Sequence, residues 1–262
     1  MTLFDQGDRD ELFPLWRYRR LIERDQFIAG AVDSDITLVN WPQNDYFLGP
    51  VLEVDEHETE RHLRGARQLS LSLLYWMQTE APRPDDGHGY PGLRLRGDLV
   101  GTEDGLAKAP YLREPRRIRA QRTIVEQDIS PLVRPTGAVE HPDTVGVGAY
   151  RIDLHPSTGG QTYIDLPSWP FEIPLSALIP IRVENLLPAA KNIGTTHITI
   201  GCHRLHPVEW NVGEAAGSLA AHCLDQRVTP RHVSDDDRRT TAFQRLLEDQ
   251  GVELRWPKLH PL

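Results

Sequence analysis

The stretch from His206 to Gln226, HPVEWNVGEAAGSLAAHCLDQ, decides how the second half of this 262-residue chain folds. It predicts a helix with Pro207 in the first turn, where the N–H that proline lacks would have no partner. Its small residues lie three and four positions apart: Gly213, Ala216, Gly217 and Ala220. One side of the helix can therefore approach another backbone or a flat ligand closely. Taken alone, this face is more economically explained by tight packing against a sheet.

A polar loop with three histidines, His197, His203 and His206, leads into this helix. Their spacing, with Cys202 among them, matches no standard zinc pattern, so the sequence predicts no metal site. Such histidines beside Arg204 suit hydrogen bonds to an anionic or carbonyl ligand. The helix N-terminus, with unpaired amides and a partial positive charge, favours the same kind of group. A surface ion pair explains Arg204 equally well.

Upstream, the strongest pattern is the helix predicted from Glu56 to Thr79, with apolar residues on one face. The following segment, residues 81–92, is dense in turn formers and predicts a loop. Alternating apolar and polar residues predict strands at Arg117–Ile129 and at Ala149–His155. These patterns place sheet after helix.

Three further segments complete the organisation. Phe171–Pro180 contains three prolines and cannot be regular for long. Val183–Ala190 is nearly all apolar and predicts a buried strand. A last helix is predicted from about Asp235 to Asp249, with Ser234 as its N-cap, as an appended surface element.

Composition excludes several classes of function. The chain has 38 acidic and 29 basic side chains, a net charge of −9, which argues against nucleic acid as the main partner. No apolar run approaches the roughly 20 residues of a membrane helix, and the N-terminus lacks the pattern of a secretory signal. We therefore expect a cytoplasmic protein with no membrane partner. Its two cysteines, Cys202 and Cys223, are expected to be buried thiols.

Two functional motifs, one for dinucleotide binding and one for serine hydrolysis, are also excluded. The pattern G-x-G-x-x-G occurs at Gly87, Gly89 and Gly92, but prolines precede it and Pro91 lies inside it, so the strand and helix of a dinucleotide site are missing. No G-x-S-x-G elbow is present for a serine hydrolase. The loop NWPQNDY, from Asn40 to Tyr46, is interpreted as architectural.

Six long strings then occur in a fixed order. They are LVNWPQNDY (38–46), LLYWMQTEAPR (73–83), YLREPRRI (111–118), YRIDLHPSTGG (150–160), IPLSALIPIRVENLLPAAKNIGTTHIT (173–199) and RLHPVEWNVGEAAGSLAA (204–221). Together they resemble a family of FAD-dependent oxidoreductases with a glutathione-reductase-like FAD fold. The resemblance covers nearly the whole chain, but the glycine fingerprint with which such enzymes begin is missing. The chain therefore resembles the C-terminal half of such an enzyme.

The resemblance implies an α/β fold, with an α+β substrate region. It implies a substrate or cap region with a mixed or antiparallel sheet over residues 1–180, a partial Rossmann-like FAD-binding domain over residues 181–228, and an appended helical tail over residues 229–262. The implied partners are FAD, a small-molecule substrate and an N-terminal Rossmann half, supplied as a separate chain or a missing segment.

The resemblance also implies where the flavin ring binds. The implied cofactor-binding residues are Lys191, Asn192, Ile193, Gly194, Arg204, Pro207, Val208, Asn211, Val212 and Gly213. Arg204 and the helix start would stabilise the negative charge of a reduced flavin. His197, His203 and His206 are candidates for abstracting a proton from a hydroxyl or amine carbon.

Two alternatives remain open at this point. One is a non-catalytic binding or assembly module that retains the fold without the cofactor. The other, weaker, is a metal enzyme built on the histidines. In a half-enzyme, we expect an uncovered apolar patch around Val183–Ala190 and on the small face of the helix at 206–226.

Overall fold

The computed structural model describes Leu3 and residues 14–257. Its backbone contacts divide the chain into two units, residues 1–111 with 156–161 and residues 112–155 with 162–262. The functional division predicted at residues 180 and 228 is a different kind of boundary and stays a prediction.

The first unit is organised around one long helix. Its described elements are helices α1 (Leu15–Tyr18), α2 (Glu56–Thr79) and α3 (Gly97–Val100), and strands β1 (Arg20–Ile22) and β2 (Ile36–Thr37), which pair antiparallel. The prediction of α2 is confirmed at both ends. The Asp55 carboxylate caps it by accepting from the Glu58 N–H at 2.8 Å, and acidic residues in its first turn complement the helix dipole.

The loop predicted after α2 is confirmed as well. An isolated bridge between Pro82 and His88 closes it, and Gly89 takes a left-handed φ of 75°. The core of this unit joins residues from α2 to the segments before and after it. It is formed by Leu3, Leu15, Trp41, Met77 and Ala81.

The second unit combines short antiparallel strand pairs with helices. Its described elements are α4 (Glu126–Ile129), β3 (Thr144–Gly148), β4 (Ile152–Leu154), β5 (Ile164–Leu166), β6 (Phe171–Pro174), α5 (Ile200–His203), α6 (His206–Gln226), α7 (Pro230–Ser234) and α8 (Asp237–Asp249). Strand β3 pairs with β6, and β4 pairs with β5. Helix α6 packs on β3, and α7 and α8 pack on α6. The mixture of helices and small antiparallel sheets agrees with the α/β class.

Helix α6 occupies the bounds predicted for it, and its core-facing side carries Val212 and Leu219, both fully buried. It ends at Arg227, whose φ is 54°. The last helix begins two residues later than predicted, because its cap is Asp236 and not Ser234. The Asp236 carboxylate accepts from the Arg238 N–H at 2.9 Å, whereas Ser234 donates its hydroxyl proton to Gln121.

Two strand predictions were wrong. Residues 117–129 form isolated bridges and then the short helix α4. The bridge from Ala120 reaches Pro180, which has no N–H with which to extend a ladder. Residues 183–190 form no strand either, and Val183 and Leu186 are 44% and 46% exposed. Pro188 has no backbone N–H, so it interrupts the row of hydrogen-bond donors that a strand needs. An apolar run also cannot by itself specify a buried strand.

Two other predictions were confirmed in part or in full. The strand predicted at Ala149–His155 is present as the shorter β4. The segment Phe171–Pro180 is regular only briefly, as β6 followed by the 3₁₀ turn Leu175–Ala177. In the stretch from residue 14 to 257, every helix is too short or too polar to cross a bilayer.

Candidate functional site

The site predicted from sequence centres on the beginning of α6. Leu205 is the N-cap residue, and its apolar side chain makes no capping hydrogen bond to the amides of the first turn. His206 and Pro207, the first two helical residues, are exposed. The 21-residue helix therefore presents amides without intrahelical partners, and its dipole, at an accessible end.

Three of the predicted cofactor-binding side chains hold this helix in place. Val208 and Val212 are buried in the core of the second unit. The Asn211 side-chain amide donates to the Val147 carbonyl of β3 at 2.9 Å and to the Pro207 carbonyl at 3.3 Å. These contacts hold the first turns of the helix on strand β3.

The segment from Lys191 to Gly194 is bound to the chain before α4. Lys191 donates from Nζ to the Leu112 carbonyl at 2.6 Å, and the Asn192 carbonyl accepts from Ile118 N–H at 3.0 Å. Ile193 is fully buried. The Gly194 carbonyl accepts from the Ile124 N–H at 2.8 Å. These bonds make the segment a fixed part of the core.

Close packing requires glycine at Gly194 and leaves little space for a side chain at Gly213. A Cβ at Gly194 would lie 2.6 Å from the Cβ of Ala120. A Cβ at Gly213 would lie 3.1 Å from the Ala189 carbonyl oxygen, so the segment before Lys191 passes close to α6. At Gly217, by contrast, no described atom other than those of the adjacent residues and the helix's own backbone lies within 4 Å of such a Cβ. The close approach predicted for the small face is thus found at Gly213 and not at Gly217.

Arg204 lies in a buried ion pair. It is 5% exposed, and its Nη2 donates to the Asp153 carbonyl at 2.8 Å and lies 3.4 Å from the Asp153 carboxylate. Its Nε lies 3.5 Å from the Glu114 carboxylate. The ion-pair interpretation is therefore correct in kind, although the pair is buried. Two carboxylates offset the charge that was expected to face a flavin.

The three histidines have different environments. His203 is fully buried, stacks on Phe171 with ring centroids 4.2 Å apart, and hydrogen-bonds through Nδ1 to the Thr199 carbonyl at 2.8 Å. Burial lowers its pKa to about 4, so the ring is neutral near pH 7, and Nε2 has no hydrogen-bond partner in the described chain. His197 is half-buried, and His206 is exposed. Among the described residues, no three His, Cys, Asp or Glu side chains converge as metal ligands.

The two thiols are buried, as predicted. Cys202 donates through Sγ to the Thr199 carbonyl at 3.2 Å, and burial raises its pKa far above the usual range. Burial also raises the pKa of Cys223. Neither thiol is activated for chemistry, because the reactive form of cysteine is the thiolate.

These residues fit one side of FAD and not the other. The accessible, uncapped start of α6 suits the electron-rich edge of a flavin ring. The glycines of the G-x-G-x-x-G pattern do not fit a pyrophosphate site. Gly87 lies in the turn closed by the Pro82–His88 bridge, Gly89 and Gly92 follow it, and none of the three lies between a strand and a helix. Asp153 and Glu114 hold Arg204. The sequence carried no signal of this pairing, since the two carboxylates lie 51 and 90 positions before Arg204.

The chain thus has an α/β fold. Its long helix α6 begins without a side-chain cap, two residues after the buried Arg204. A family model for FAD dependent oxidoreductases matches residues 4–247, and the chain belongs to this family. The family implies FAD as the cofactor and oxidoreduction as the general activity. No curated protein and no solved structure matches the chain.

Proposed function

We propose that this chain supplies the isoalloxazine side of an FAD-dependent oxidoreductase and part of its substrate pocket. The observation that carries the proposal is the uncapped, exposed N-terminus of α6, with the backbone at Ala189 held against Gly213. FAD, when bound, supplies a hydride acceptor. The first-turn amides of His206 and Val208 would hold the electron-rich edge of the ring, and the bonds of Asn211 would keep those amides in place.

Of the predicted catalytic residues, His206 is the best placed to exchange a proton near this edge. It is exposed and is the first residue of α6, whereas His203 is fully buried and neutral near pH 7. His197 is the second candidate, because it is half-buried. Arg204 would act by positioning: its hydrogen bond to Asp153 ties the residue before the α6 N-cap to β4.

We also propose the functional division into a substrate or cap region at residues 1–180, a flavin-domain region at 181–228 and a tail at 229–262. Both elements of the proposed ring site lie within the middle region. Phe243 and Leu247 of the tail are fully buried in the core that includes α6, so the tail would also stabilise the site.

A complementary Rossmann half would hold the rest of the cofactor. This part of the proposal rests on the missing glycine fingerprint and on the exposed apolar residues Val183, Leu186, Trp210 and Leu224. Trp210, Gly217 and Leu224 are seven positions apart and therefore lie on one face of α6. A partner that buried this face would cover two large side chains that are 76% and 80% exposed.

Flavin fluorescence measures the affinity of the chain for FAD and so tests the proposal. The chain is titrated with FAD alone and then together with a dinucleotide-binding half from an enzyme of the family, and we expect tight binding only in the mixture. His206→Asp places a negative charge at the helix start and should weaken binding about tenfold, since a charge at a helix terminus contributes up to about 2 kcal/mol and a factor of ten corresponds to about 1.4 kcal/mol. His206→Gln removes the imidazole without adding charge. Gln226→Asp adds the same charge at the other end of α6, at an exposed position off the face of Trp210 and Leu224.

Equal flavin affinity in His206→Asp and Gln226→Asp would contradict the assignment of the ring site. If no dinucleotide-binding half restores flavin binding, the result favours the alternative of a non-catalytic binding or assembly module.

A further inference from the structure

The loop NWPQNDY lies along helix α2 in the first unit and brings a tyrosine to a buried histidine. Trp41 is fully buried in the core of this unit. Three residues further along, the Asn44 side chain accepts from Ser70 Oγ at 2.8 Å. Tyr46 then meets His62, with 2.8 Å between Oη and Nδ1. The loop thus holds one phenol against one imidazole by two independent anchors.

His62 is 3% exposed, and contacts at its second ring nitrogen, Nε2, orient the ring. Its Nε2 lies 3.2 Å from Nη2 of Arg61 and 3.5 Å from the Glu58 carboxylate. A guanidinium can only donate, so the Arg61 contact makes Nε2 an acceptor and places the ring proton on Nδ1. His62 then donates to the Tyr46 oxygen, and the phenol retains its own proton to give.

Two glycines make room for this pair. A Cβ at Gly49 would overlap the His62 ring, and a Cβ at Gly65 would lie 2.7 Å from the Tyr46 oxygen. Neither glycine has a left-handed φ, so space and not backbone conformation requires them. Helix α2 therefore accepts a glycine in its interior, at a cost of about 1 kcal/mol relative to alanine, where the phenol lies.

We propose that Tyr46 is a proton-exchanging residue for a small neutral ligand that presents a hydroxyl or carbonyl oxygen. In one direction the Tyr46 O–H bond breaks, the proton bonds to the ligand oxygen, and the electron pair stays on the phenol oxygen, where the His62 N–H stabilises it. The reverse transfer takes the proton back. Glu58 and Arg61 act by positioning His62. All of these residues lie in the first unit, and the proposal goes beyond the flavin site.

The chemistry around Tyr46 favours a neutral, partly apolar ligand. The Arg61 guanidinium is already paired with Glu58 at 2.5 Å, so little net positive charge is left to attract an anion. The next two residues in the chain, Phe47 and Leu48, are apolar and are 45% and 78% exposed.

Acetylation by N-acetylimidazole, followed residue by residue by peptide mass spectrometry, tests the proposal without flavin. The phenol oxygen attacks the acyl carbon, imidazole leaves, and the phenol proton is lost. We expect Tyr46 to react about tenfold faster than Tyr75, which lies on α2 and is 66% exposed. His62→Phe and Gly49→Ala should each remove this advantage and leave Tyr75 unchanged. Gly92→Ala, where a Cβ meets no described atom within 4 Å, is the matched control.

A Tyr46 rate at or below that of Tyr75 in the folded wild type overturns the proposal, as does an unchanged rate in both the His62 and Gly49 variants. Gly49→Ala covers the case in which His62→Phe does not fold. For the ligand class, benzyl alcohol should slow acetylation of Tyr46 and not of Tyr75, whereas benzoate, which carries a negative charge, should not. Absence of protection by benzyl alcohol, or equal protection by benzoate, overturns the neutral-ligand assignment.

Discussion

Arg204 donates to the backbone carbonyl of Asp153 at 2.8 Å and lies 3.4 Å from the carboxylate of the same residue. One side chain thereby joins the end of α5 to strand β4. Because Glu114 approaches the same guanidinium, the second unit contains a buried cation between two carboxylates. Such a group is costly to bury and costly to disrupt, since removing one charge leaves the others unpaired.

We expect Arg204→Met to lower the free energy of unfolding by about 3 kcal/mol, because Glu114 and Asp153 would lose their cation in a largely buried setting. Urea unfolding measures the change. Arg151→Met is the control: Arg151 pairs with Asp165 at the surface, both being more than 40% exposed, and its loss should cost less than about 1 kcal/mol. Equal costs for the two variants would contradict the role given to burial.

His203 should make the stability depend on pH. Its pKa is about 4 in the folded protein and about 6.5 in the unfolded chain, so below pH 6.5 the unfolded state binds the additional proton. Stability is therefore complete above about pH 6.5 and decreases as the pH falls towards about 4, by about 3 kcal/mol in total. His141, whose pKa is also lowered by burial, acts in the same sense, and Glu172, whose pKa burial raises, acts in the opposite one.

The contribution of His203 is isolated by comparing wild type with His203→Gln in urea unfolding at several pH values. The difference between the two free energies of unfolding should shrink on acidification between about pH 6.5 and 4. A difference that stays constant over this range would show that His203 is protonated equally in both states.

Gly213 and Gly217 of α6 should respond differently to alanine. Gly217→Ala should raise the free energy of unfolding by about 1 kcal/mol, because alanine favours the helix and its Cβ meets no described atom within 4 Å. Gly213→Ala should gain less or become destabilising, since its Cβ lies 3.1 Å from the Ala189 carbonyl oxygen. Thermal unfolding of the two variants measures the difference, and a larger gain at Gly213 would contradict it.

The cap of α8 gives a further test. Asp236→Ala should destabilise the protein by about 1 kcal/mol, because it removes the acceptor for the first amides of that helix. Ser234→Ala removes the hydrogen bond to Gln121, and we expect it to cost less. Chemical unfolding of both variants ranks them, and a larger loss in Ser234→Ala would reverse the assignment of the cap.

The two long helices could be predicted from the sequence to the residue, because periodic apolar positions and Pro207 define them locally. The strands could not be predicted as well. Each of them is short, and the alternating pattern at 117–129 is used for single bridges to distant segments such as Pro180 and Thr195. A pattern describes one segment, whereas pairing depends on the partner that the fold supplies.

The candidate site shows the same limit. The sequence indicated a helix N-terminus next to an arginine, and both are present in the second unit. The partners of Arg204 and the burial of His203 could not be predicted, since they depend on β4 and on the stacking of Phe171. The pair of Tyr46 and His62 was missed, although Gly49 and Gly65, at the positions where a Cβ would collide with that pair, were a signal.

The last described residues attach the end of the chain to the strands beneath α6. Thr144 donates to the Leu254 carbonyl at 2.9 Å, Arg255 pairs with Glu172 at 2.9 Å, and the Trp256 indole donates to the Gly148 carbonyl at 3.0 Å. Carboxypeptidase digestion should therefore slow abruptly on reaching these residues. Any shortening of the gene that removes them would expose the groups of β3 and β6 that these residues cover and make the product more prone to aggregate.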